Sequence, residues 1–209
     1  GFDQYANVRP SRVLPGVQSR LKGGEKIDWV IIRENSEGEY SGSGGRVHRG
    51  LPEEVATETS VFTRAGVTRI HRYAFELARS RPRRHLTLVT KSNAQRHGMV
   101  MWDEIFYEVA RGFPEVATQR VLVDAMTTLM VGKPQTLDTI VATNLHADIL
   151  SDLAAALSGS LGIAPTANLN PERRYPSMFE PIHGSAFDIA GKGVANPVAT
   201  FWTASMMLE

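Results

Sequence analysis

The sequence contains no cysteine. That absence excludes disulfides, thiolate metal ligands and a cysteine nucleophile, and it fits a reducing compartment such as the cytoplasm. No apolar run approaches the roughly 20 residues that a membrane-spanning helix needs, and the N-terminus lacks a secretory-signal pattern. Neither sign of charge dominates: 23 Lys and Arg against 22 Asp and Glu leave a net charge of +1. Such a balance offers no field to draw in nucleic acid or a membrane surface. The basic run 79–84 (RSRPRR) reads instead as cations at a helix end, where the dipole favours them. Internal repeats, low-complexity tracts and the GxGxxG dinucleotide fingerprint are all missing. What remains is a globular chain of 209 residues, long enough to bury a substantial core.

The segments that are present alternate between strand and helix patterns. Residues 27–33 (IDWVIIR) form an apolar run suited to a buried strand. The Gly/Ser-rich stretch ENSEGEYSGSGGRVHRG follows and reads as a long functional or mobile loop. Residues 55–62 alternate as a solvent-facing strand does, and residues 68–80 carry apolar side chains at helical spacing. Further strands are expected at 85–90, 119–123 and 139–143, with helices at 102–112 and 148–157. Near the end, Asn196 reads as an N-cap and Pro197 as the first residue of an apolar helix. The rhythm predicts an α/β fold, a parallel or mixed sheet with flanking helices. The last helix runs to Glu209 without a capping glycine, so the chain is expected to be an excerpt of a longer protein.

Three aspartates carry the chemistry. Asp148 and Asp152 in NLHADILSDL are four apart, which stacks both carboxylates on one helix face. Like charges so placed repel. A divalent cation held by oxygen ligands would compensate them, and a solvated acidic face is the alternative. Asp124 closes the expected strand QRVLV, and Asp148 follows TIVATN, so both lie near strand carboxyl ends, where open α/β sheets bind ligands. Arg9 in NVRP and Arg33 at the end of IDWVIIR offer planar forks for carboxylates, with a surface role as the alternative. Tyr40, and Lys91 directly after HLTLVT, are candidates for proton transfer. The segment 179–197 (FEPIHGSAFDIAGKGVANP) packs His183, Gly184, Ser185, Asp188 and Asn196 into a short loop that either approaches a ligand closely or is a glycine-rich turn.

In their order along the chain, NVRP, IIRENSEGEYSG, TKSN, VDAM, NLHADILSDLAAALSGSLGIAPTANLNPERRYP and FEPIHGSAFDIAGKGVANP resemble the metal-dependent β-decarboxylating dehydrogenases of 2-hydroxy acids. That family includes isocitrate and isopropylmalate dehydrogenases, and the likeness is greatest to its D-malate and tartrate branch. The resemblance implies that Arg9 and Arg33 clamp substrate carboxylates. It implies that Asp148 and Asp152, with Asp124 of a partner subunit, hold Mg²⁺ or Mn²⁺. Lys91, also from the partner, would take the hydroxyl proton, and Tyr40 would protonate the enolate left by decarboxylation. His183, Gly184, Ser185, Ala186, Asp188, Ile189 and Asn196 would form much of the NAD site, with Asp188 and Ile189 resembling the NAD-using members.

The implied assembly is a homodimer with shared active sites, acting on a small 2-hydroxy diacid and binding neither nucleic acid nor membrane. Residues 1–14 would belong to a larger domain, 15–161 to a smaller domain with a dimerisation arm, and 162–209 to the larger one again. A 3-isopropylmalate dehydrogenase and a non-catalytic regulatory subunit are the alternatives. Four positions depart from the family: His146 and Ala147 replace Phe and Gly, Phe187 replaces a proline, and Arg20 is displaced from the site of an expected third arginine.

Overall fold

The computed structural model describes residues 2–209. Seven strands form one mixed sheet in the order β6-β5-β7-β2-β1-β8-β9. Its parallel half joins β6 (Ala117–Leu122), β5 (His85–Thr90), β7 (Thr139–Ala142) and β2 (Asp28–Glu34). Its antiparallel half continues through β1 (Ala6–Arg12), β8 (Pro165–Leu169) and β9 (Met178–Pro181). The α/β class is therefore as expected, while β1, β8 and β9 were not anticipated as strands. Strands from the first and last of the three sequence segments thus extend the sheet built by the middle one.

Helices cover both faces, which explains why the strands read as unbroken apolar runs. Val30 and Ile32 of β2 pack with α1 (Arg64–Ser80) and α2 (Gly98–Ala110) in one core. Trp29 and Ile31 pack on the opposite face with α3 (Val123–Gly132) and α4 (Asn144–Ser158). This strict alternation places Arg33 on the α4 face. The helix α5 (Val198–Leu208) packs against β8 and β9. Its cap is displaced by one residue from expectation: the helix begins at Val198, whose amide donates to Asn196 Oδ1 at 3.0 Å. No helix among the described residues is long and apolar enough to cross a membrane.

Two expectations are corrected. Much of the supposed loop after Glu34 is a strand, β3 (Gly38–Val47), paired antiparallel with β4 (Val55–Val61) in a separate two-stranded sheet. Its glycines permit close approach rather than looseness: a Cβ on Gly44 would sit 2.1 Å from the Thr57 carbonyl oxygen. Asp124 does not close a strand either, because β6 ends at Leu122 and Asp124 occupies the first turn of α3. A carboxylate is favoured there by the orphan amides and the dipole.

Candidate active site

The register of β1 on β2 builds the site. Asn7 lies opposite Arg33, and Arg9 lies two residues along the same strand. Period-2 alternation puts all three on one face, the face that α4 crosses. Both arginines then meet α4 at Asp148. Arg9 Nη1 donates to Asp148 Oδ1 at 3.1 Å, and Arg33 Nη1 makes a short ion pair with the same oxygen. Arg9 Nη1 also donates to Ser151 Oγ at 2.6 Å, and Ser151 Oγ donates to the Asp148 carbonyl at 2.9 Å. Tyr40, on β3, donates its hydroxyl to Asp148 Oδ2 at 3.4 Å, and the Arg33 guanidinium lies 5.4 Å from its ring centroid. Three of the expected residues thus meet at the carboxylate of a fourth, Asp148.

Electrostatics at this point are strained by design of the sequence. Burial, and next the facing charge of Arg33, push Arg9 below the usual arginine range, with Asp148 opposing. Asp152 sits one turn beyond Asp148. Partial burial first and the Asp148 carboxylate second hold its carboxyl above the usual aspartate range. The arginines neutralise Asp148 directly and reach Asp152 only through space. An all-oxygen pair of this kind fits a hard divalent cation such as Mg²⁺ or Mn²⁺.

Asp124 and Lys91 stand elsewhere. They form a short ion pair with one another, and Lys91 holds the Asp124 carboxyl below its usual range. No group of three or more His, Asp or Glu side chains suited to a metal occurs among the described residues. Within one chain, the Asp148 cluster and the Lys91–Asp124 pair share no hydrogen bond or ion pair among the described residues.

The glycine-rich segment lies apart again. His183, Gly184, Ser185, Asp188 and Asn196 are exposed, while Ala186 and Ile189 are half-buried. Ala186 takes a left-handed backbone, φ 46°, and opens a short 3-10 turn over Phe187–Ile189. His183 Nδ1 donates to the Gly184 carbonyl at 2.9 Å. Of the positions that departed from the family, His146 is buried in α4 with Nδ1 unpartnered, and burial lowers its pKa against the opposing charge of Glu39. Arg20 is exposed on the surface.

Sequence reasoning missed three supporting residues. Asn7 Oδ1 accepts from Arg9 Nε at 2.7 Å, and Asn144 Oδ1 accepts from Arg33 Nε at 2.9 Å. Glu39 caps α4 from outside the helix, accepting from the Leu145 amide at 3.1 Å and from Thr143 Oγ1 at 2.7 Å. Only Asn7 left a trace in the sequence, since it shares strand parity with Arg9.

The fold and the site together define a mixed α/β scaffold that carries a carboxylate–guanidinium cluster on one sheet face. A family model described as isocitrate/isopropylmalate dehydrogenase matches residues 1–209, and the chain belongs to that family. It is 74% identical, over its whole length, to a probable tartrate dehydrogenase/decarboxylase of Agrobacterium vitis, and covers 59% of that protein. It is 53% identical to the D-malate dehydrogenase [decarboxylating] of Escherichia coli K12, again over its whole length and over 58% of the relative. A crystal structure of isocitrate dehydrogenase from Methylococcus capsulatus superimposes with a TM-score of 0.90 at 41% identity, covering 99% of this chain and 59% of that one. These similarities place the chain in the tartrate and D-malate branch. It spans about three-fifths of the length of these relatives.

Proposed function

We propose that this chain carries most of the active site of a dehydrogenase that oxidises and decarboxylates a small 2-hydroxy diacid with NAD. The observation that carries the proposal is the convergence of Arg9, Arg33 and Tyr40 on Asp148. Two guanidiniums on one sheet face match the two carboxylates of a small diacid. The names of the two relatives carry the choice of tartrate or D-malate.

Asp148 and Asp152 would hold Mg²⁺ or Mn²⁺ with the third carboxylate, Asp124, supplied by a second copy of the chain. A bound cation supplies a Lewis acid next to the substrate's oxygens, and NAD supplies the hydride acceptor. The chain's own groups handle binding and protons. Arg9 and Arg33 bind the two carboxylates of the diacid and fix its orientation in the site. Lys91 of the second copy takes the hydroxyl proton as the hydride leaves C2, giving a ketone. The β-carboxylate then departs as carbon dioxide, its bonding electrons passing into an enolate. Tyr40 delivers the proton that quenches this enolate at carbon. The loop from His183 to Asn196 would bind the adenosine end of NAD, with Asp188 accepting from a ribose hydroxyl. A cytoplasmic homodimer is part of the same reading. A non-catalytic role is disfavoured, because Tyr40, Lys91 and all three aspartates are present.

The test is NADH formation by the full-length protein with tartrate, D-malate and 3-isopropylmalate, with and without divalent metal. Turnover of tartrate or D-malate only with metal supports the proposal, and Asp148→Asn should abolish it without unfolding the protein. Metal-independent turnover, or none with any of these diacids, would sink it.

A further inference from the structure

We infer that Asn7 and Asn144 are positioning residues that aim Arg9 and Arg33 at the diacid without discharging them, an inference that rests on the proposed role of the two arginines. Each carboxamide is buried, 1% exposed at Asn7 and 4% at Asn144. Each receives the Nε–H of one arginine, at 2.7 Å and 2.9 Å. A bond at Nε fixes the plane of the guanidinium and turns its terminal amino groups to the other edge. On that edge Nη1 of both arginines reaches Asp148, while no described protein group engages either Nη2. Each fork is thereby held at Nε and at Nη1, with Nη2 left open.

The carboxamides are themselves anchored. Asn7 Nδ2 donates to Thr166 Oγ1 at 2.8 Å and to Asn168 Oδ1 at 2.7 Å, which ties Arg9 to β8. Asn144 Nδ2 donates to the Glu37 carbonyl at 3.1 Å, which ties Arg33 to the segment leading into β3 and Tyr40. Since Nε only donates, each amide oxygen must face its arginine, and the amide orientation is fixed. Residue type matters here. An aspartate at either position would accept the same bond but cancel the cation, and the pull on an anionic substrate would fall. An amide orients the charge and leaves it whole.

A double-mutant cycle in the full-length enzyme tests this. Asn144→Leu should raise KM for D-malate about tenfold, the loss of roughly one charge-assisted hydrogen bond, with KM for NAD unchanged. In an Arg33→Ala background the same substitution should add almost nothing, because Asn144 acts through Arg33. Asn7→Leu with Arg9→Ala should repeat the pattern. Should a Leu variant fail to fold, Asn144→Ser or Asn7→Ser carries the same cycle. Full additivity, or an equal rise in KM for NAD, would show a merely structural role and overturn the inference. If Arg33→Ala itself leaves KM for D-malate unchanged, the parent reading of the arginines fails instead.

Discussion

Three buried basic side chains show how differently one sheet's two faces treat charge. Arg9 and Arg33 keep theirs because Asp148 faces them. His71, fully buried on the other side of the sheet, faces no carboxylate partner among the described residues but two aromatic rings, Trp102 at 4.3 Å and Phe106 at 5.3 Å, both edge-on. Its Nε2 donates to the Trp102 carbonyl at 3.1 Å, and burial drives its pKa down to about 3. A histidine held neutral in the folded state and free to charge in the unfolded one contributes stability above its unfolded pKa. That contribution is lost progressively as pH falls from near 6.5 toward 3. Between roughly pH 7 and pH 5 the loss should be about 2 kcal/mol. Urea unfolding of the protein and of His71→Leu at both pH values measures it. The wild type should weaken by about 2 kcal/mol more than the variant over that interval; equal weakening would show that His71 does not titrate as described.

Helix α4 owes its start to a side chain that no local window reveals. Thr143 precedes it but makes no side-chain cap, and Glu39 does so from β3. One carboxylate therefore joins the strand of Tyr40 to the helix of Asp148 and holds the two side chains in register. Glu39→Ala should cost about 1–2 kcal/mol of stability, the size of a lost charged cap, read as a lower urea midpoint. Glu39→Gln keeps an acceptor oxygen and should cost less. If Glu39→Ala leaves the midpoint unchanged, the cap is not holding the helix. The same example explains what could be read from the sequence. Local patterns sufficed for β2, β5, β7 and the helix faces, and ordered motifs brought out Arg9, Arg33, Tyr40 and the aspartates. The strand β3 was hidden because its glycines serve cross-strand contact at Thr57, while β1, β8 and β9 draw their pairing from partners far away in the chain. Asn144 and Glu39 were equally invisible, and Asn7 showed only its parity with Arg9, since their meaning lies in contacts between elements far apart in the chain.

At the level of the assembly, the proposed homodimer needs a surface for a second copy. The β3–β4 ribbon is exposed almost throughout, and α3 and α4 expose Val131, Leu145 and Ile149, the last at 52%. Apolar side chains clustered on adjacent helices usually meet a partner. Ile149→Asp should therefore shift the protein from dimer to monomer in analytical ultracentrifugation, and an unchanged sedimentation coefficient would place the interface elsewhere. The deeper consequence concerns catalysis. Asp148 and Lys91 make separate ion pairs within one chain, and in the proposed reading each active site draws Lys91 from the second copy. A purified mixed dimer of one Asp148→Asn chain and one Lys91→Met chain measures this most directly. Shared sites predict one intact site per dimer and about half of wild-type turnover, although each parent homodimer is inactive. A mixed dimer as dead as its parents would contradict the shared site.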